Sequence, residues 1–206
     1  MPRKPRVHVP GGVYHVILRG NHQEPLFATE GDRAYLNALV ADVVERFGLR
    51  VFAYCWMTNH LHLAVRVAEV PLGAPMQRLA RAYSRYVHRN TGRLGHLFER
   101  RYRAILVDAD AYLLALVRYI HLNPVVAGMT TAPARYPWSS HRDYLGRPTV
   151  PWVDTAFVLG MFPAGTHGPR RRFEQFVQAC TVEDLAVFVG HETRDTRRLE
   201  PRSAGD

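Results

Sequence analysis

The sequence predicts an α+β fold, an antiparallel sheet with helices on one face, and three observations support it. Hydrophobic periodicity switches between strand and helix spacing in the order βαββαβα along residues 12–122. Two strand-like runs, residues 50–56 and 60–67, are separated only by Met57, Thr58 and Asn59, a length that suits a hairpin. A chain of 206 residues can also bury one proper core without a disulfide or metal staple. That element order is the split-βαβ, ferredoxin-like pattern.

GVYHVILRG, residues 12–20, is β-branched and alternating and lies between glycines, so it reads as the first strand. From Glu30 to Phe47 the positions Tyr35, Leu36, Leu39, Val40 and Val43 recur at helical spacing, and Gly48 ends the run. The hairpin follows. Residues 76–90 form a second helix with Met76, Leu79, Tyr83 and Val87 on one side and Arg78, Arg81, Arg85 and Arg89 along another. Residues 96–108 alternate as a fourth strand. A third helix starts at Asp108 or Asp110 and runs to about Leu122, stopped by Pro124 and Gly128. Beyond Gly128 the chain reads as loop through YPWSSHRDYLG, residues 136–146. The expected division is a domain over residues 1–148 and a tail over 149–206, helical around 170–189 and polar, hence disordered, over about the last 15 residues.

Charge narrows the function. The chain carries a formal +9, and between Arg78 and Arg103 eight arginines face Glu99 alone. Such a concentration suits phosphates, although a solvated basic helix face would look the same. Tyr83, Tyr86, Phe98, Tyr102 and Trp138 lie among or near these arginines, and aromatic platforms interleaved with cations suit single strands, each base stacking for about 1 to 3 kcal/mol, although the same residues, Tyr83 and Phe98 foremost, fit the core. Cys55 and Cys180 have no metal-type spacing, which points to a reduced, cytoplasmic protein. AYLLALV, residues 111–117, is far shorter than the roughly 20 residues a membrane span needs, so no membrane partner is expected.

The candidate site begins in NHLHLAV, residues 59–65. In a strand, residues two apart face the same way, so His60 and His62 project together while Leu61 and Leu63 face the opposite side. Two adjacent imidazoles make a chelate, yet an ordinary strand with one wet face also produces this triplet. Support comes from LLALVRYIHLNP, residues 113–124: Leu113, Leu116, Val117 and Ile120 make the core stripe of a helix, and Tyr119 and Asn123 are neighbours one turn apart on its flank. Two imidazoles and a carboxamide are three neutral ligands for a divalent metal, Mg²⁺ or Mn²⁺, that leave positions open for phosphate oxygens. A tyrosine beside that site gains a use as a nucleophile.

These residues complete a resemblance. GGVYHVILRGN (11–21), AYCWMTNHLHLAV (53–65), GRLGHLFERRYRAILVD (92–108), LVRYIHLNPVVAG (116–128) and YPWSSHRDYLG (136–146) resemble, in order, the HUH-class single-tyrosine transposases, and most closely the REP-associated tyrosine transposases of bacteria. The resemblance implies a metal held by His60 and His62 with Asn123 as third ligand. It also implies that Tyr119 cleaves single-stranded DNA at hairpins, such as repetitive extragenic palindromes or insertion-sequence ends, through a 5′-phosphotyrosyl intermediate. The implied location is the bacterial nucleoid, as monomer or homodimer. Thr58 stands where the family commonly has Pro, and Val126 where it often has Arg.

Arg19, Asn21, Arg78, Arg81, Arg85, Arg100, Arg101, Arg103, Tyr102 and Trp138 are the candidate DNA contacts. Two rival readings stay open on sequence alone. One is a hairpin-binding regulator that cuts nothing, since the same fold serves as a nucleic-acid-binding sheet. The other is a small-molecule metalloenzyme in which His15 is a further ligand; otherwise His15 falls near the sheet surface by chance.

Overall fold

The computed structural model describes residues 8–107, 110–163 and 166–181, together with 185 and 188. Asp108 and most of the tail beyond 181, including the stretch expected to be disordered, lie outside the described residues.

Four strands, β1 (Val13–Arg19), β2 (Arg50–Trp56), β3 (His60–Arg66) and β4 (Arg103–Val107), form one antiparallel sheet in the order β2-β3-β1-β4. The architecture is α+β with the split-βαβ order that the periodicity predicts. Helix α1 (Glu30–Phe47) starts in a capping box, in which Thr29 Oγ1 accepts from the Asp32 N–H while Asp32 Oδ2 accepts from the Thr29 N–H, and it ends at Gly48 in the left-handed region. Helix α2 (Gly73–Thr91) extends a turn earlier than the spacing suggested and stops at Gly92, also left-handed.

Alternation sorts the sheet into two faces. Tyr14, Val16, Leu18, Leu61, Leu63 and Val65 pack with α1 and α2, joined by Leu36, Val40, Met76, Leu79 and Tyr83. The opposite face carries Val13, Phe52, Cys55 and Ala64 and is covered by α3 (Asp110–Val126) through Leu113, Leu116, Val117 and Ile120. Placement on one face therefore holds for α1 and α2, whereas α3 takes the other. Both faces of the sheet are apolar at its centre, and each needs a cover.

Three further differences have local causes. Strand β4 is shorter than expected: residues 96–102 form a crossing loop that bonds the end of β1, with the Asn21 N–H donating to Leu97 O at 2.9 Å and the Glu99 N–H to Arg19 O at 3.0 Å. Pro124 does not stop α3. Its fixed φ fits a helix and it forfeits one bond, so the helix runs on to Val126 and terminates at the left-handed Gly128. Residues 136–154 are not free loop: they lie along the outer edge of β2, the Trp56 N–H donating to Trp138 O at 2.9 Å, the Ser140 N–H to Tyr54 O at 3.1 Å and the Asp154 N–H to Val51 O at 2.8 Å. An edge strand's open backbone groups are satisfied in this way. Helices α4 (His141–Tyr144), α5 (Thr155–Leu159) and α6 (Pro169–Gln178) pack on this side with α3, Phe173 lying fully buried against Tyr144.

Among the described residues no helix is long and apolar enough to cross a membrane.

Candidate active site

The site occupies the α3 face of the sheet at the end where β1 finishes and β3 begins. Register places Arg19 opposite His60, Ile17 opposite His62 and His15 opposite Ala64. The hairpin tip is pinned there by the Gly20 N–H, which donates to Asn59 O at 2.7 Å. Gly20 has to be glycine for this approach, because a Cβ would stand 2.4 Å from Glu24 O.

His60 and His62 project on the same face, their ring centroids 4.8 Å apart and nearly perpendicular. The tautomer of His60 follows from its neighbour. Asn59 donates its amide hydrogens to Gln23 O at 3.1 Å, so its carbonyl oxygen faces His60 Nδ1 at 2.8 Å and accepts the proton that must sit there. His60 Nε2 is then a buried lone pair that no group among the described residues meets in regular hydrogen-bond geometry, with the Asn123 carboxamide as its polar neighbour.

Burial keeps both rings neutral. It pushes His60 down to about 4, with the Arg19 guanidinium acting in the same sense and the Asn123 carboxamide opposing it. His62, fully buried, is held well below the usual imidazole value by the same desolvation and then by His60, His15 and Arg19.

Helix α3 delivers the rest. Tyr119, 4 % exposed, turns its ring toward the sheet, edge-on to His62 and to His15 at 5.9 Å between centroids in each case. Phe188 stacks on it at 4.9 Å. One turn on, Asn123 approaches Tyr119 O through Nδ2 at 3.5 Å and its carboxamide acts on the His60 ring. Tyr119, His60, His62 and Asn123, chosen from two separate sequence stretches, thus meet.

His15 is the residue that spacing alone undervalued. It is 1 % exposed, not at the sheet surface, and its Nε2 lies 3.0 Å from His62 Nδ1. Its position on β1 with Val13, Ile17 and Arg19 was the available signal, since period two puts all four on the histidine face.

The candidate DNA contacts divide. Arg19 and Arg103 stand on the histidine face, Arg103 in the same cross-strand row as Ile17 and His62. Asn21 follows β1 in a short turn, half-buried, and Arg100 and Arg101 are exposed on the crossing loop bonded to it. Arg78, Arg81 and Arg85 belong to α2, on the far side of the sheet, and Arg78 is paired with Asp42 at 2.7 Å. Tyr102 is buried beneath α2, because it continues the inward alternation of Ala104 and Leu106; it has no open face for a base. Trp138 is half-buried on the β2 edge with the Arg33 guanidinium 5.4 Å from its ring.

No group of three or more His, Cys, Asp or Glu suited to a metal occurs among the described residues. A divalent ion here would rest on His60, His62 and the Asn123 amide. The bare, buried Nε2 of a neutral His60 fits that use, since imidazole ligates as the neutral ring and a buried acceptor poorly met is costly.

Residues 8–123, more than half of the chain, match the family model described as "Transposase IS200 like". Among solved structures the chain resembles the one described as "Structure of the REP associates tyrosine transposase bound to a REP hairpin", with a TM-score of 0.61, 17 % identity, and coverage of 80 % of this chain and 92 % of that one. A weaker likeness, TM-score 0.43 and 9 % identity over 92 % of this chain and 81 % of the other, is to tRNA(His) guanylyltransferase from Saccharomyces cerevisiae. No curated protein matches the sequence.

Proposed function

The chain belongs to the family of IS200-like transposases, and we propose that it is a metal-dependent single-stranded DNA endonuclease and strand transferase that acts at hairpins through Tyr119. The observation that carries this reading is the meeting of Tyr119 with His62, edge-on at 5.9 Å, while Asn123 one turn away reaches His60. The hairpin in the related solved complex supports the substrate class.

In the proposed reaction Tyr119 attacks the scissile phosphorus with its hydroxyl oxygen. A Tyr–O–P bond forms, the bond from phosphorus to the 3′ oxygen breaks, and the tyrosine proton passes through solvent to the departing 3′ oxygen. The 5′ phosphate stays on Tyr119. Because one phosphodiester has replaced another, attack by a second 3′-hydroxyl reverses the step and joins strands without ATP.

His60, His62 and Asn123 would hold a divalent ion, Mg²⁺ or Mn²⁺, which supplies Lewis-acid polarisation of the phosphate. The protein's own residues do the rest. Burial keeps His60 and His62 neutral, hence able to ligate, across the physiological pH range. Arg19 and Arg103 place positive charge on the same face for the phosphodiester, and Arg100 and Arg101 offer further phosphate contacts along the crossing loop.

Covalent capture tests the reading. Labelled hairpin oligonucleotide is incubated with the protein and Mn²⁺ or Mg²⁺, then denatured. A protein–DNA adduct lost in Tyr119→Phe is the expected result. Tight binding without adduct or cleavage across varied hairpins would make the protein a binding module instead.

A further inference from the structure

We infer that His15 is a positioning residue: its Nε2 accepts a hydrogen bond from His62 Nδ1–H and so fixes His62 in the tautomer whose Nε2 is free of a proton. The inference rests on the proposed metal site, and it adds a residue that acts on a ligand without being one.

The geometry that carries it is a buried pair of rings. Register puts His15 opposite Ala64 and one alternation away from His62. The alanine, fully buried, leaves room above itself, and the two imidazoles close over it with centroids 5.2 Å apart and planes inclined by 23°. Nε2 of His15 and Nδ1 of His62 stand 3.0 Å apart, with both rings at most 1 % exposed. Two buried ring nitrogens at that distance share one proton. Two lone pairs would repel, and two protons would leave both donors unmet.

Which ring carries the proton is decided by analogy with the other histidine of the pair. His60 has Nδ1 committed to an oxygen that can only accept, which leaves its Nε2 bare. His62 likewise has Nδ1 committed to a neighbour. If His15 accepts, both rings present Nε2 as a lone pair on the face below Tyr119 and Asn123. If His15 donated, His62 would carry its proton on Nε2 and could not ligate. A metal-bound imidazole with its remote nitrogen held by a second group is the common arrangement, and loss of that group typically costs about 10- to 100-fold in metal affinity. The same bond argues against His15 as a third ligand, because its Nε2 is already turned to His62.

The test reads the tautomer directly in the full chain with metal removed by chelator. In ¹⁵N-histidine-labelled protein, long-range ¹H–¹⁵N correlations should show His62 protonated at Nδ1. In His15→Phe, which keeps a ring and removes the acceptor, the expected result is a mixed or inverted His62 tautomer. The Mn²⁺ dissociation constant, measured by electron paramagnetic resonance, should weaken by about tenfold or more. His15→Gln, whose amide oxygen can accept from Nδ1–H, should recover most of the affinity. Metal-free hairpin affinity should change less than about twofold. A wild-type His62 protonated at Nε2 overturns the inference, as does a tautomer and Mn²⁺ affinity unmoved by His15→Phe. If His15→Phe fails to fold, the wild-type tautomer decides. Loss of the adduct in Tyr119→Phe addresses the reaction and is independent of this readout. Wild-type protein that binds no Mn²⁺ would sink the metal reading, with the tautomer still deciding this one.

Discussion

His121 Nε2 lies 2.8 Å from Ser140 Oγ, and through that bond the helix carrying Tyr119 and Asn123 is tied to the edge of the sheet. The serine hydroxyl also accepts from the Tyr54 N–H at 3.0 Å, while the Ser140 N–H donates to Tyr54 O at 3.1 Å, so one residue joins β2 to α3. His121 follows Tyr119 and precedes Asn123 by two positions, which puts it on the opposite flank of α3. One flank faces the histidines of the sheet and the other is anchored.

Ser140→Ala should therefore destabilise the protein by about 1 to 3 kcal/mol, since it strands the Tyr54 N–H and the His121 ring nitrogen in a buried setting. A urea titration followed by circular dichroism measures it. An unchanged midpoint would mean that the bond to α3 contributes nothing.

Replacing either strand histidine separates chemistry from grip. His60→Ala and His62→Ala should each reduce adduct formation to background, while hairpin affinity by fluorescence anisotropy stays within about tenfold, or 1.4 kcal/mol. The proposed function gives the grip on the strand to the arginines and the metal to the imidazoles. Equal loss of both properties would count against this division of labour.

The sequence made the paired histidines legible because period two projects both to one face, and it made Tyr119 and Asn123 legible because residues four apart on a helix are neighbours. What it left out depends on contacts between elements. His15 meets His62 because of the β1–β3 register and a small Ala64; period two puts it on the face of Arg19, but the register that brings it to His62 is not in the strand's own pattern. Tyr102 stands among arginines in sequence, yet its parity with Ala104 and Leu106 turns it under α2. Residues 136–154 join β2 through backbone groups and through the Tyr136, Ser140 and Tyr144 hydroxyls, polar contacts that hydrophobic periodicity does not register. The interior run at Pro124 went unread because a proline predicts a stop more often than it permits passage.

Acid should weaken the fold through His141 as well as through the site. His141 is 2 % exposed, and burial pushes it down to about 4 from an unfolded value near 6.5. Above pH 6.5 the ring is neutral in both states and costs nothing. Below it the unfolded chain takes up the proton first, so stability falls by at most about 1.4 kcal/mol per pH unit until the folded ring also titrates near pH 4. His141→Gln should flatten that slope between pH 6.5 and 4, as read from chemical denaturation across the range. A parallel slope in the variant would assign the acid sensitivity elsewhere.

The arginines should differ by address rather than by number. Arg100 and Arg101 are exposed on the crossing loop that bonds the β1 end of the site, and Arg100 meets Glu99 at 3.3 Å with 75 % of its side chain in solvent. Arg78 lies on the far layer and already answers Asp42. A phosphate contact to a single strand releases counterions, so removing one lowers the dependence of log K on log salt by about 0.7. Arg100→Ala and Arg101→Ala should each show that reduced slope with weaker hairpin binding at every sequence tested. Arg78→Ala should keep the wild-type slope, its loss confined to an exposed ion pair that solvent screens. The reverse pattern, with Arg78 changing the slope and the loop arginines leaving it intact, would move the DNA path to the α2 side of the sheet.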